Sequence, residues 1–179
     1  ITVPLQIDGK NGPDLISAGK GPQVVWFEAP ANARNLAQWR MHVISDKGGW
    51  TMGLVAVDMD RDGDNDVLLG IRQGQPGVKW LENPGSGPKQ KEFWAVHEVG
   101  PQGAAIGFVE ITDLDHDGFF DVVAPVMDSK KILILRGLNI DATRWQPMAI
   151  AVPKERNKGV AVGDIDLDDQ LDLVITHEF

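Results

Sequence analysis

A nine-residue acidic segment recurs along this chain at a nearly constant interval, and any fold must accommodate it once per unit. The fullest copy is Asp58-Met-Asp60-Arg-Asp62-Gly63-Asp64-Asn-Asp66. Two others keep its spacing: Asp113-Leu-Asp115-His-Asp117-Gly118-Phe119-Phe-Asp121 and Asp164-Ile-Asp166-Leu-Asp168-Asp169-Gln170-Leu-Asp172. Carboxylates packed this densely repel one another unless a cation sits between them. Acids at the first, third, fifth and ninth positions describe a short loop wrapped around a hard ion. Calcium takes roughly six to eight oxygen ligands at about 2.3–2.6 Å, and alternate residues of a tight loop can supply them. Glycine at the sixth position permits the left-handed backbone that lets the seventh residue offer its carbonyl.

The loops begin at residues 58, 113 and 164, steps of 55 and 51 residues. A step of 52 back from Asp58 reaches Gln6-Ile-Asp8-Gly-Lys10-Asn11-Gly-Pro-Asp14, the same frame with fewer acids. Four units therefore start near 6, 58, 113 and 164, within one segment spanning 1–179. Glycine and a β-rich run precede the last three loops, as in Gly53-Leu-Val-Ala-Val. A short apolar run follows each of the four, as in Asp66-Val-Leu-Leu-Gly. Third runs such as Val24-Val-Trp26-Phe-Glu28 and Val78-Lys-Trp80-Leu-Glu82 come next, then fourth runs that open on Trp39, Trp94 and Trp145. Short β-branched runs separated by Gly, Pro and Asn are strands. Four of them in about 52 residues, repeated, predict an all-β chain of four-stranded propeller blades. Only 31–38 has helical composition, enough for a turn or two between a third and a fourth strand.

Composition narrows the function. Sixteen of the 26 Asp and Glu residues lie in the four loops, so the formal charge of −9 is a property of the loops and not of the whole surface. Three divalent cations would bring it to −3. No basic block suggests nucleic acid, and no apolar run approaches the ~20 residues that span a bilayer. Cysteine is absent, which excludes thiol chemistry and a disulfide framework. Weak calcium loops fill where calcium is plentiful, so an extracellular or periplasmic location is expected. The chain opens at Ile1 without a signal peptide, as a processed or excised piece would.

The unit Val-Ala-x-x-Asp-x-Asp-x-Asp-Gly-x-x-Asp-Val, followed by a Trp-containing strand that ends Glu-Asn-Pro, resembles the FG-GAP/VCBS repeats of integrin-α-like β-propellers. The resemblance covers essentially the whole chain. It implies a propeller, usually of six to eight blades, with calcium in the loop joining the first two strands of a blade. Here three full units and half of a fourth are present, so the remaining blades or other chains are expected to close the ring. The second loop then supplies Asp58, Asp60, Asp62 and Asp66 as side-chain ligands with the Asp64 carbonyl. The third supplies Asp113, Asp115, Asp117 and Asp121 with the Phe119 carbonyl. The fourth supplies Asp164, Asp166, Asp168 and Asp172 with the Gln170 carbonyl, its Asp169 replacing glycine in a conformation that Asp tolerates. Three structural calcium ions are expected. The first loop keeps Asp8 and Asp14 but has Lys10 at its fifth position, whose ammonium is expected to replace the metal. An EF-hand needs a bidentate Glu at position twelve, where these loops carry Leu69, Ala124 and Ile175.

Trp26, Trp39, Trp80, Trp94 and Trp145 recur once per unit and are expected to pack between blades. Trp50, out of phase in Lys47-Gly-Gly-Trp50, is the better candidate for touching a ligand. His42 and His97 are repeat-equivalent and are expected to be structural or solvent-facing. No nucleophile motif, phosphate loop or His-Glu-x-x-His is present. The expected role is a calcium-stabilised binding or scaffold module for a glycan or protein partner, and no catalytic residue is assigned. The alternative is the propeller of a carbohydrate-active enzyme such as a polysaccharide lyase.

Overall fold

The computed structural model describes residues 1–178. The chain runs through strands β1 (Thr2–Leu5), β2 (Asp14–Ala18), β3 (Val24–Glu28), β4 (Arg40–Ser45), β5 (Trp50–Val57), β6 (Asp66–Gln73) and β7 (Gly77–Glu82). It continues through β8 (Ala95–Val99), β9 (Glu110–Thr112), β10 (Asp121–Val126), β11 (Lys131–Gly137), β12 (Trp145–Ala151), β13 (Asn157–Gly163) and β14 (Asp172–His177). Strands β1–β4, β5–β8 and β9–β12 form three four-stranded antiparallel sheets, each in chain order, and β13 and β14 pair as a fourth. Each expected unit is thus one sheet, because short connections leave consecutive strands side by side. The stretch 31–38 yields only a 3-10 turn at Leu36–Gln38, and the matching connection of the second sheet holds another at Pro88–Lys91.

The sheets stack in sequence order, and strand alternation decides which side chain meets which neighbour. In β6, Val67, Leu69 and Ile71 join one buried cluster with Ile16, Val24, Trp26 and Ile44 of the first sheet. Leu68, one pleat away, joins Trp80 in a second cluster with Val122, Ala124 and Leu135 of the third sheet. In β10, Val122 and Ala124 look back to the second sheet, while Val123 meets Ile132, Val160 and Leu173 towards the fourth. Strands covered on both faces must be apolar throughout, which is why β6 and β10 read as near-continuous hydrophobic runs. Trp26 and Trp80 are fully buried. Truncating either would cost about 3–5 kcal/mol.

The strands that open successive sheets approach backbone to backbone. The Phe108 N–H donates to the Lys158 carbonyl at 2.8 Å, within a parallel bridge between Phe108 and Gly159. A Cβ on Gly107 would lie 2.1 Å from the Lys158 oxygen, and one on Gly53 would lie 2.8 Å from the Val109 nitrogen. The glycines before the second and third acidic loops therefore serve the contact between sheets and not the loop.

All sheets also share a direction. The acidic loops lie at one end, where the Gln90 side chain donates to the Ile7 carbonyl and Arg61 donates to the Gly118 carbonyl. The opposite end is tied by Gly48 N–H to Pro22 O, Gly103 N–H to Pro76 O and Arg156 N–H to Met127 O, each 2.8 Å.

Candidate metal centres

Each acidic loop connects the first two strands of its sheet, and all four copies fold alike. The fourth and sixth positions are left-handed in every one. These are Gly9 and Asn11 (φ 69° and 58°), Arg61 and Gly63 (61° and 98°), His116 and Gly118 (58° and 90°), and Leu167 and Asp169 (63° and 67°). The sixth position matches the sequence reading. The fourth does not announce itself, because Arg, His and Leu seldom adopt this backbone. Side chains of the loop hold it there. The first aspartate accepts the N–H of the sixth residue: Gly63 to Asp58 at 3.1 Å, Gly118 to Asp113 at 2.9 Å and Asp169 to Asp164 at 3.0 Å. The fifth aspartate accepts the N–H of the seventh: Asp64 to Asp62, Phe119 to Asp117 and Gln170 to Asp168, all at 2.9 Å.

The ninth aspartate does something different. Asp66 Oδ2 accepts the Met59 N–H at 2.9 Å and Oδ1 accepts the Asn83 N–H at 2.7 Å. Asp121 binds Leu114 and Gly137 in the same way, each at 2.9 Å, and Asp14 binds Ile7 at 3.1 Å and Ala29 at 2.7 Å. In the fourth loop Ile165 donates to Asp172 at 3.0 Å. In the first three units the closing residue is thus a buried strut that joins the loop to the end of the third strand. Burial pushes the Asp66 carboxyl up to about 7 despite the bonds from Asn83 and Met59. The Trp80 indole N–H lies near this carboxylate and lowers its pKa, without the geometry of a full hydrogen bond.

Three carboxylate clusters result: Asp58 with Asp60 and Asp62, Asp113 with Asp115 and Asp121, and Asp164 with Asp166 and Asp172. Within each, one oxygen per residue lies within 4.8 Å of the others. The clusters could hold a metal ion. Their donors are all oxygen, which suits a hard divalent cation. In the second loop Asp58 Oδ1 is buried without any hydrogen-bond partner, and Asp60 is raised by burial and then by the charge of Asp62. Both features suit a site for a hard cation.

The other expected ligands stand outside these trios. Asp66 is the strut of its loop. Asp64 turns its carboxylate towards Gly85, where an added Cβ would sit 2.8 Å from Asp64 Oδ2. Asp117 pairs with Arg136 Nη2 at 3.0 Å, and the same guanidinium places Nε 2.6 Å from Asp115 as an ion pair without hydrogen-bond alignment. The Asp117 carboxyl is lowered by the Phe119 N–H first, and by Arg136. Asp168 accepts from Gln170 twice, from its backbone N–H at 2.9 Å and from its side-chain Nε2 at 3.2 Å. Phe119 and Gln170 occupy the seventh position, with their N–H groups turned to the fifth aspartate.

The first loop shows how the same backbone forms with two acids. The expected Lys10–Asp8 pair is present at 3.2 Å, but the Lys10 side chain is 65% exposed and lies at the rim. The centre is taken by Gln6, whose Nε2 donates to the carbonyls of Lys10 (3.1 Å) and Gly12 (2.9 Å) while its Oε1 accepts the Gly9 N–H (3.1 Å). Gln6 thus gathers the carbonyls of the fifth and seventh positions. Sequence reasoning looked for a charge to replace a charge and passed over a neutral amide.

The tryptophans divide. Trp26, Trp80 and Trp94 are buried, as expected for packing between units. Trp39 and Trp145 are half-buried, and all three opening tryptophans of the fourth runs donate to a nearby carbonyl: Ala33, Gln90 and Ala142. His42 packs at a tilt against Trp26, ring centroids 4.7 Å apart, and bonds Glu28 at 2.8 Å. His97 stacks on Trp80 at 4.3 Å and bonds Glu82 at 2.6 Å. These Trp–His–Glu brackets give both histidines a structural task that strand spacing alone did not reveal. Among the described residues no helix is long and apolar enough to cross a membrane.

Compared with known proteins, the chain matches no family model and no curated protein.

Proposed function

We propose that the chain is a calcium-stabilised segment of a β-propeller of the FG-GAP/VCBS kind, serving as a recognition or scaffold module outside the cell. The observation that carries this reading is the recurrence of a three-carboxylate cluster at the same end of three successive sheets, on one shared loop backbone. Blade geometry is supported by the chain-order sheets, the two-faced burial of β6 and β10, and the glycine-mediated approach of the opening strands. Calcium would be held by the three trios, with the carbonyls of Asp64, Phe119 and Gln170 as further donors. When bound, it supplies positive charge and no redox chemistry. The protein's part is to pre-fold each loop through the strut and the two left-handed residues, so that the carboxylates converge.

Recognition of a glycan or protein is preferred to catalysis because the loop acids converge in the trios or accept backbone N–H groups. The test is a titration with terbium or calcium alongside thermal melts. The expected result is about three sites and a melting temperature many degrees lower in chelator. Asp60→Asn should remove one site and part of that shift. A melt unchanged by chelator would sink the proposal.

A further inference from the structure

The end of the sheets opposite the acidic loops has the reverse charge balance. Its turns, at 19–23, 46–49, 74–76, 100–109, 127–130 and 152–156, carry five Lys or Arg and three Asp or Glu. The four acidic loops at the other end carry sixteen acids against Lys10 and Arg61. Between the first and second sheets at this basic end lies a cleft of about 570 Å³, lined by Lys20, Trp50, Gln73 and Gln75 with the backbone of Gly48 and Gly49. That volume lies in the range of small-ligand sites.

Trp50 lines it, half-buried, with the Lys20 ammonium and the Arg72 guanidinium each 4.5 Å from the ring centroid, Arg72 itself not being part of the lining. The two cationic heads are therefore separated by no more than twice that distance. Among the described residues neither makes an ion pair or a side-chain hydrogen bond, and Arg72 Nε is buried without an acceptor. Elsewhere in the chain Lys10, Lys47, Lys91 and Arg136 each have a carboxylate partner. Half-burial removes part of this guanidinium's hydration, and the Trp50 ring replaces only some of it.

The walls are rigid. Gly48 N–H bonds Pro22 O at 2.8 Å, Thr51 N–H reaches Gly19 O at 2.9 Å, and a Cβ on Gly49 would collide with the Gln73 carbonyl at 2.1 Å. The cleft is therefore preformed, and an incoming group need not organise it.

We infer that this cleft binds an acidic saccharide, a sugar ring bearing a carboxylate or sulfate. The anionic substituent engages Arg72 and Lys20, and the apolar edge of the ring lies against Trp50. Gln75 accepts from Lys79 at 3.0 Å through Oε1, which leaves its NH₂ group to face a sugar hydroxyl, with the Gln73 amide beside it. A planar fork such as Arg72 favours a two-oxygen anion. The site deepens the proposed recognition role and rests on it, but it uses none of the acidic-loop residues.

The test is calorimetric titration of the full chain at saturating calcium with four probes: an oligogalacturonate, a sulfated galactan oligosaccharide, a neutral cello-oligosaccharide and a poly-glutamate peptide. Binding of either acidic sugar, with the neutral sugar and the peptide at least tenfold weaker, is the expected result. The arm that binds identifies carboxylate or sulfate. Arg72→Gln should weaken that binding at least tenfold, and exposed Lys20→Gln severalfold without altering the melt. Equal binding of the neutral sugar or the peptide, no binding by any probe, or an unaffected Lys20→Gln would overturn the inference. A parallel terbium titration separates the outcomes: three filled loops with an inert cleft refutes this site alone, whereas empty loops refute the calcium reading.

Discussion

Asp14 offers the clearest test of the strut, because its loop has no carboxylate trio to confuse the reading. Its carboxylate is inaccessible and accepts Ile7 N–H at 3.1 Å and Ala29 N–H at 2.7 Å. Hydrogen bonds to a charged group contribute about 1.5–3 kcal/mol each, and an amide left buried without a partner costs about 1–3. Against this stands the cost of burying the carboxylate, which raises its pKa above the ordinary value, partly countered by the two N–H bonds. Asp14→Ala should therefore lose about 3 kcal/mol net. Asp14→Asn keeps one acceptor and opposes an NH₂ to the other amide, so it should lose about half as much. For a chain of this length, about 3 kcal/mol corresponds to a melting-temperature drop of roughly 6–12 °C. Differential scanning calorimetry at saturating calcium reads it directly. A drop below about 2 °C for Asp14→Ala, or an Asn variant as stable as the parent, would refute the strut.

Gln6→Asp should unpin the carbonyls of Lys10 and Gly12, costing about 1–2 kcal/mol in chelator. In calcium the loss should shrink as a fourth ion binds, which terbium stoichiometry checks. Gly107→Ala, meeting the Lys158 oxygen, should cost at least ~2 kcal/mol by chemical denaturation, because a backbone atom cannot move aside. Burial raises the Glu28 carboxyl, but hydrogen bonds from Lys91 and His42 more than offset it and leave its pKa lowered. Its contribution is therefore full above the unfolded Glu value near 4.5 and fades as pH falls through the lower folded value. Glu28→Gln should remove no more than about 1 kcal/mol at pH 7 and progressively less below pH 4.5, as denaturation at several pH values would show.

What the sequence revealed was whatever repeats. Loop spacing, strand count and the division into units were legible because each residue type recurs where the same backbone recurs. The glycine before Leu54 and before Phe108 was visible too, but its purpose was not, since the atom it avoids belongs to the next sheet. The closing aspartates were read as ligands because a carboxylate looks the same in sequence whether it faces an ion or two amides. The distant donors at Ala29, Asn83 and Gly137 give the first three a second task that spacing could not show, while Asp121 and Asp172 also stand within carboxylate trios. Arg136 and Gln6 were missed for a related reason. Each changes one copy of a repeated loop, and a pattern search discounts what differs between copies.

The close backbone contact of the opening strands also determines where this architecture can grow. Where Gly107 meets the Lys158 carbonyl there is no space for a side chain, let alone an inserted residue. The connections between third and fourth strands, at 29–39, 83–94 and 138–144, differ in length from unit to unit, and of these 83–94 is tied to the first sheet through Gln90 and Trp94. Although the connections from one sheet to the next also vary, the connections between third and fourth strands take up part of the difference between units. Loops grafted at 29–39 or 138–144 would lengthen the chain without touching the glycine contacts that set the spacing of the sheets.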